Sequence, residues 1–542
     1  MKTFNYKLLL ICTFFLGIVA CKKQLDVQNP NSPTLQDAKT ESGIISLASG
    51  AVYLNGFNVV FNAGLNQLGS GFFYTGYGYQ ELLADVISAS ASNQNINVIN
   101  LPESVTLDNG TKVLTNSSQR GTIQVTNTRS NRSSNSLYYE WAYMYNLNNA
   151  CNNVLEALPD VKFTGDAVSK RKAIEAWAYW WKGYAYSRIG SMYYAGIINN
   201  KTFGVTPSYV THDAIIAESN KNLDLAMTAL TAVTNAAEFK TIIAKIIPDF
   251  VQTGKGGAPT PSMWMHTINT QKARNLLANK QVSMMTTADW NTILTLTGNG
   301  LTKSDNVFTA RTTAINGFIS TTGNVAAMST GNTATFRISE RLIQEYKTGD
   351  KRLANNFSVR SSPLFDQTGG VTFSTRYALI DKSLGLPGVQ VISDRTPGNF
   401  ELYIGPTYEE SDLMRAEAFI YTNQIEAGLK LIDAVRANNG AGLADVAGTS
   451  LTQADAIKEL RRERRVALVF RGISYYDYRR WGIIYDISKG GGRTGAVVLT
   501  SGGQLNTNAT INYNFLDYWD VPADETELNP PASGSAPVKN PG

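Results

Sequence analysis

Apolar side chains recur at three- and four-residue spacing in several long stretches of the sequence, and this spacing predicts α-helices. The two clearest stretches run from Trp141 to Leu158 and, rich in aromatic residues, from Ile174 to Ile189. Further helices are predicted around residues 44–52, 223–233, 273–285, 412–437 and 455–471. The pattern therefore predicts a mainly α-helical protein.

Two predicted helices are so close in sequence that they should form a hairpin. They lie in SDLMRAEAFIYTNQIEAGLKLIDAVRANNGAG, where the first helix ends near Asn423 and the second runs to Gly440. Small side chains at Ala416, Ala418 and Ala427 would let the two helices approach closely. The pair resembles a tetratricopeptide-type unit, although no strict period of about 34 residues recurs along the chain.

Long polar stretches separate the helical ones. Residues 90–135 and 297–335 are rich in Asn, Ser and Thr. Residues 370–407 alternate more, as in VTFSTRYALI and FELYIG, and predict a few short strands. Loops of this length in a compact domain usually serve binding.

The N-terminus has the pattern of a lipoprotein signal. Lys2 and Lys7 precede an apolar run, Leu8–Val19, that is too short to span a bilayer. The run ends in IVAC, which resembles a bacterial lipobox and implies cleavage before Cys21 and acylation of that residue. An ordinary secretory signal with a chance cysteine is the alternative.

The three cysteines support the same division of the chain. Cys12 would leave with the signal and Cys21 would carry lipid, so Cys151 would stay alone, buried as a small apolar side chain and without an internal disulfide. We predict three parts: a signal peptide at 1–20, a lipidated tether at 21–35 and a single helical domain with loop-rich insertions at 36–542.

Composition and motifs exclude several function classes. Charged residues make up 17% of the chain, below a typical value of about 25%, and a net charge of +5 over 542 residues is weak evidence for a nucleic-acid partner. The sequence contains no Walker loop, nucleophile elbow, HExxH motif or paired CxxC. His212 and His266 are far apart in sequence. We therefore predict no cofactor, no metal site and no catalytic residues.

The stretch IKELRRERRVALVFRGISYYDYRRWG holds seven arginines. On a helix Arg464 would lie beside the apolar stripe, with Arg461 and Arg465 on the surrounding surface. We interpret the stretch as structural, with arginines pairing to carboxylates on neighbouring helices, and name Glu417 and Asp477 as partners. Polyanion binding is the alternative interpretation.

Several segments, in order along the chain, resemble the SusD/RagB-like outer-membrane lipoproteins, which are nutrient-binding partners of TonB-dependent transporters. They are the lipobox, EWAYMYNLNNACNNVLEAL, AIEAWAYWWKGYAYSRIGSMYYAG, LMRAEAFIYTNQIEAGLKLIDAVRANNGAG, ERR…FxG…YYDYRRWG and YWDVPADETELNPP…KNPG. The chain departs from the family where a glutamate usually follows the phenylalanine of FxG, because here that residue is Arg471. Ala467 and Ile473-Ser474 are further departures.

The resemblance implies about eight helices in four tetratricopeptide-like pairs, with a large loop-rich region and a few short strands. It also implies a lipid-anchored protein on the cell surface, seated over a TonB-dependent (SusC-like) barrel transporter in the outer membrane. The implied function is to capture an oligosaccharide and deliver it to that transporter without covalent chemistry. A peptide receptor of the same family, a helical surface glycosidase and a scaffold that binds only protein are the alternatives.

Binding of a sugar ring requires an aromatic face for its C–H groups and polar partners for its hydroxyls. The segment FFYTGYGYQE offers Tyr74, Tyr77 and Tyr79, and PSMWMH offers Trp264 in a loop predicted after Pro261. We name these four as candidate ligand contacts. The alternative is that each ring packs in the core or against the transporter.

Overall fold

Helices dominate the computed structural model, which describes residues 37–54, 76–89, 95–132, 134–311, 336–365, 373–394, 396 and 398–542. The helices are α1 (Glu41–Ser49), α2 (Gly78–Leu82), α3 (Gln119–Thr126), α4 (Ser136–Ala157), α5 (Ala167–Met192), α6 (His212–Thr231), α7 (Ala236–Ile246), α8 (Pro261–Ala278), α9 (Thr287–Gly298), α10 (Glu340–Ile343), α11 (Lys351–Asn356), α12 (Tyr408–Tyr421), α13 (Ile425–Asn438), α14 (Gln453–Ala467), α15 (Ser474–Arg480) and α16 (Ala523–Leu528). The strands are β1 (Ile87–Ala89), β2 (Ser104–Thr106), β3 (Lys112–Leu114), β4 (Ala195–Ile197), β5 (Tyr209–Thr211), β6 (Thr309–Arg311), β7 (Phe336–Ile338), β8 (Phe357–Leu364), β9 (Thr375–Leu379), β10 (Glu401–Tyr403), β11 (Arg493–Leu499) and β12 (Leu505–Asn512). The prediction of a mainly helical fold with a few short strands is confirmed.

The signal peptide, Cys21 and the tether lie outside the described residues. Within the described ranges, no helix combines the length and the apolar content that crossing a bilayer would require.

Three long helices, α4, α5 and α6, form a layer in the N-terminal half, with α5 packed between the other two. Asp166 starts α5, because its carboxylate accepts hydrogen bonds from the backbone N–H groups of Val168 and Ser169, both at 3.1 Å. Gly183 lets α6 come close, since a Cβ there would lie 2.7 Å from a side-chain carbon of Leu223.

The predicted hairpin in the C-terminal half is present as α12 and α13. Asn423, with φ +61°, turns the chain between them. Gly428 makes the closest approach, since a Cβ there would lie 2.8 Å from the carbonyl oxygen of Ala416. Helix α14 packs on both members of the pair, so the tetratricopeptide-like arrangement is confirmed.

Tryptophan rings fill the centre of the molecule. Trp177, Trp180 and Trp181 of α5 are all fully buried. They surround Phe308, whose ring centroid lies 5.3 Å from that of Trp181 and 5.7 Å from that of Trp177. These rings therefore belong to the core.

The strands form small antiparallel sheets. The largest has the order β11-β12-β2-β3 and joins part of the polar stretch 90–135 to the C-terminal strands, with Val105 opposite Ile511. The pairs β8–β9 and β6–β10 contain the strands predicted from VTFSTRYALI and FELYIG.

The arginines of α14 and α15 face acidic partners in the interior. Arg464 donates to Asp477 at 2.8 and 3.0 Å. Arg480 donates to the same carboxylate at 2.8 Å and to Glu417 through two bonds of 2.7 Å. Burial opposes ionisation of Asp477, yet Arg464 and Arg480 hold its pKa below the ordinary value. The two acids named from the sequence thus join one buried chain of ion pairs.

Two other arginines of α14 contact different kinds of group. Arg465 forms an ion pair with Glu345 at 3.2 Å and donates to the carbonyl oxygen of Ala84 at 2.9 Å. The guanidinium of Arg461 instead lies 5.2 Å from the ring centroid of Trp481, and this arginine forms no ion pair within the described residues. The cationic stretch is therefore packed inside the protein.

Candidate functional site

Three of the four aromatic residues named as ligand contacts lie in the core, which corrects the expectation from the sequence. Tyr77, Tyr79 and Trp264 are 1%, 0% and 0% exposed. A ring that is covered on all sides offers no face to a sugar in solvent, so these three are not retained as ligand contacts. Tyr74 lies outside the described residues.

The segment around Trp264 is a helix and not the loop expected after Pro261. The hydroxyl of Thr260 accepts a hydrogen bond from the backbone N–H of Met263 at 3.2 Å, and Pro261 occupies the first position of α8. The ring of Trp264 turns inward and meets Phe308 edge-on at 5.0 Å. Threonine followed by proline was a helix start that the sequence analysis missed.

Tyr77 is buried beneath a surface cleft and contacts the backbone segments that line it. Its hydroxyl donates a hydrogen bond to the backbone carbonyl of Tyr403. Its ring lies so close to Gly472 that a Cβ there would be 2.6 Å from ring carbons. Tyr77 thereby fixes two backbone segments that line a cleft on the other side.

We call this cleft the polar cleft; it has a volume of 640 Å³. It lies between residues 388–394 and 399–403, the first turn of α12, the end of α13 and the turn at residues 469–471. Its walls carry amide, carboxylate, guanidinium and aromatic groups. These segments are far apart in sequence and meet only in the folded protein.

One wall of the cleft is built around Glu401 of β10. Its carboxylate accepts hydrogen bonds from the backbone N–H groups of Lys255 and Gly256, at 2.7 and 3.0 Å. It also forms an ion pair with Arg311 at 3.1 Å and accepts a bond from the hydroxyl of Tyr403 at 3.3 Å. Glu401 is therefore occupied in holding β10 to the neighbouring loops.

Further polar groups follow along the rim. Asp394 accepts hydrogen bonds from the backbone N–H of Thr396 at 2.8 Å and from the side-chain amide of Asn399 at 3.1 Å. At the end of α13, the amide of Asn438 donates to Asn439 at 3.4 Å. The amide nitrogen of Asn439 is buried and finds no acceptor in the described part of the chain.

The opposite wall carries Arg471, stacked on an aromatic ring. The guanidinium carbon lies 3.9 Å from the ring centroid of Tyr403. The backbone on both sides of Arg471 is left-handed, with φ +57° at Phe470 and +67° at Gly472. This conformation suits glycine and is uncommon for phenylalanine, so the turn must be held by its surroundings.

A buried carboxyl group holds that turn. Glu81 accepts hydrogen bonds from the backbone N–H of Gly472 and the hydroxyl of Ser474, both at 2.9 Å. Burial raises the pKa of Glu81 to about 7, although these two hydrogen bonds act in the opposite direction. The position of Arg471 therefore depends on a side chain of α2.

No metal site is indicated. Within the described ranges no group of three or more His, Cys, Asp or Glu side chains is arranged to hold a metal ion. His266 pairs with Asp305 at 3.0 Å, and the ring of His212 stacks on Tyr518 with centroids 4.0 Å apart. Both histidines have structural partners.

Most of the residues that line the cleft were not predicted as site residues from the sequence. Tyr403 and Phe400 were visible only as part of the alternating segment FELYIG, and Glu409 carried no local signal. Arg471 was noted as a departure from the family pattern, and that departure was the one signal in the sequence that pointed to the cleft.

Comparison with known proteins supports the resemblance stated from the motifs. Residues 410–534 match the model of the SusD family. The fold is similar to that of a SusD superfamily protein from Bacteroides vulgatus, with a TM-score of 0.57 and 14% identity over 90% of this chain and 97% of that one.

Two further structures share the fold. Surface glycan-binding protein A from Bacteroides uniformis has a TM-score of 0.53 and 14% identity, covering 91% of this chain and 98% of that one. NanU from B. fragilis has a TM-score of 0.51 and 12% identity, covering 84% of this chain and 92% of that one. No curated protein matches the sequence.

Proposed function

We propose, on the premise that the chain is SusD/RagB-like in its C-terminal sequence and in its fold, that it is a non-catalytic cell-surface receptor that binds oligosaccharide in the polar cleft. The name of one similar structure, a surface glycan-binding protein, agrees with this ligand class. Delivery of the ligand to a TonB-dependent outer-membrane transporter and anchoring through lipid on Cys21 are parts of the same proposal.

The side chains that line the polar cleft are the main support for oligosaccharide as the ligand. Phe400 is half-buried at its wall and supplies an apolar surface for the C–H face of a sugar. Asn399 and Asn438, both exposed in the cleft, supply amide groups that can donate hydrogen bonds to sugar hydroxyls and accept hydrogen bonds from them. A cleft lined by twelve polar and six apolar side chains suits a hydroxyl-rich ligand with apolar faces better than a purely apolar one.

Binding without turnover is proposed because two of the three carboxyl groups that line the cleft, Glu401 and Asp394, are engaged in other contacts, which leaves Glu409 without a second free acid. A glycosidase needs two carboxyl groups placed on either side of the scissile bond. Glu401 is held by Arg311 and two backbone N–H groups, and Asp394 by Thr396 and Asn399. Release of reducing ends from a polysaccharide that the purified protein binds would favour the glycosidase alternative.

The proposal is tested by calorimetry of residues 22–542 against a panel of oligosaccharides and peptides. Binding of at least one oligosaccharide is expected. Replacing Phe400 by alanine should weaken that binding about three- to tenfold, the effect of losing about 0.5–1.5 kcal/mol of aromatic contact. Binding of peptides alone would favour the peptide-receptor alternative.

The matched control is Phe203→Ala. Phe203 is 79% exposed on the turn between β4 and β5 and does not line the cleft. Its replacement should leave binding unchanged. Equal loss of affinity in both variants, or none in Phe400→Ala, would remove the polar cleft from the proposal.

A further inference from the structure

We infer that the oligosaccharide bound in the polar cleft carries a carboxylate, as a uronic acid does, and that this carboxylate pairs with Arg471. The inference rests on the proposed function and narrows its ligand class. Its starting point is a cation that lines the cleft and forms no ion pair within the described residues, although Asp394, Glu401 and Glu409 line the same cleft.

Arg471 differs from the arginines of the C-terminal stretch that pair with carboxylates, and, unlike Arg461 and Arg479, which also form no ion pair within the described residues, it lines the polar cleft. Arg464, Arg465 and Arg480 each pair with a carboxylate at 3.2 Å or less. Arg471 forms no ion pair and no side-chain hydrogen bond within the described residues, and it lines the cleft. A partly buried guanidinium without an acceptor is costly, and an anion in the cleft would remove that cost.

The orientation of Arg471 suits a planar anion. The ring of Tyr403 covers one side of the guanidinium, with its centroid 3.9 Å from the guanidinium carbon. The N–H groups at its edge can then form two parallel bonds to one carboxylate, the geometry that arginine provides and lysine does not. The hydrogen bond from the backbone N–H of Gly472 to Glu81 keeps the turn in place without any ligand.

The other charged groups of the cleft leave this position open to an anion. Glu401 and Asp394 are engaged as described above. Lys382 is exposed at the rim and adds positive charge. Glu409 is 7% exposed, lines the cleft, and forms no ion pair or side-chain hydrogen bond within the described part of the chain.

An ionised Glu409 can only accept hydrogen bonds, so the ligand group that meets it must be a donor such as a hydroxyl. The complementary ligand therefore has one carboxylate for Arg471 and hydroxyl groups for Glu409 and Asn438. A sugar acid satisfies both requirements within one or two rings.

The test compares each acidic oligosaccharide with its own carboxyl-reduced form. The probes are oligogalacturonate, oligoalginate and hyaluronan oligosaccharides, their carboxyl-reduced derivatives, and neutral gluco-, galacto- and manno-oligosaccharides, all titrated calorimetrically into residues 22–542. We expect one acidic probe to bind and its reduced form to bind about ten- to a hundredfold more weakly, the usual weight of a charge-assisted hydrogen bond.

Arg471→Gln should abolish that difference, whereas Arg471→Lys should keep part of it. The matched control is Arg415→Gln, because Arg415 also lies over an aromatic ring, Phe419 at 5.5 Å, but does not line the cleft. The control should bind as the wild type does. Thermal unfolding of all three variants separates loss of the charge from loss of the fold.

The outcomes distinguish this inference from the proposed function. Equal or stronger binding of neutral or carboxyl-reduced probes would overturn the inference and leave the oligosaccharide receptor standing. No binding of any saccharide would overturn both. If the Arg471→Gln variant still bound the acidic probe more tightly than its carboxyl-reduced form, the assignment of the carboxylate to Arg471 would also be overturned.

Discussion

Lys182 has an ammonium group buried in the middle of α5. The residue is 2% exposed, and its ammonium donates to the side-chain oxygen of Asn152. Within the described residues it forms no ion pair, and burial lowers its pKa to about 8. It borders a second hollow of 700 Å³, between α4, α5 and α6.

This burial makes stability depend on pH in a defined direction. The folded state disfavours the charged amine, so the free-energy cost of burying that charge is fully present when the pH is below the folded pKa of about 8. Between that value and the unfolded pKa of about 10.4 the unfolded chain binds more protons, and stability rises with pH. Lys182→Met should therefore raise the free energy of unfolding at pH 6–7 by about 1–3 kcal/mol, a gain that disappears by about pH 10.5.

Urea unfolding at several pH values measures this effect. The control is Lys221→Met, because Lys221 borders the same hollow but its side chain is 62% exposed and pairs with Glu218 at 3.1 Å. Its replacement should change stability by less than about 1 kcal/mol. A destabilised Lys182→Met protein would mean that the bond to Asn152 outweighs the cost of burial.

At the scale of the helices, arginine–carboxylate pairs lock α12, α14 and α15 together. Asp477 of α15 receives Arg464 of α14 and Arg480 of its own helix, while Arg480 continues to Glu417 of α12. Asp477→Asn removes a charge from between two buried cations and should lower the free energy of unfolding by about 3–5 kcal/mol near pH 7.

The contribution of Asp477 to the free energy of unfolding should also depend on pH. Because the pKa of Asp477 is lowered in the folded state, its contribution is present above the unfolded pKa of about 3.9 and is lost as pH falls through the folded pKa. The control is Asp455→Asn on α14, whose pair with Lys458 at 2.9 Å is exposed and should contribute far less to stability than the buried pairs of Asp477. Similar losses in the two variants would contradict a structural role for the buried chain.

The elements were predictable where one local pattern decides them. The sequence predicts helices α4, α5, α12 and α13, because the buried face of each helix requires apolar residues at three- and four-residue spacing. The same pattern cannot separate a ring that faces a ligand from one that faces the core, so Tyr77, Tyr79 and Trp264 were misplaced. The polar cleft could not be predicted because it joins segments between residues 253 and 471 that share no local pattern.

At the scale of the whole molecule, contacts between distant segments support the cleft. Tyr77 reaches the backbone of Tyr403, Glu81 reaches Gly472, and the hydroxyl of Tyr513 donates to Asp85. The segment at residues 76–89 therefore lies between the cleft and the C-terminal strands. The division of the chain into one domain at 36–542 stays a prediction.

Anchoring of that domain to a membrane is a separate prediction. It rests on the lipobox-like IVAC that ends at Cys21. Several acyl chains on one cysteine would hold the protein stably, whereas a single chain binds only weakly and reversibly.

Cys21→Ser should abolish labelling by a palmitate analogue in a bacterial host that processes lipoproteins, and should move the protein from the membrane fraction to the soluble fraction. The control is Cys12→Ser, which lies within the predicted signal and removes a thiol without touching the lipobox. This variant should be labelled and sedimented like the wild type. If the Cys21→Ser protein stays in the membrane fraction at wild-type levels, attachment must come from the partner transporter or from another segment. That result would contradict the lipid anchor and would leave the proposed ligand site unaffected.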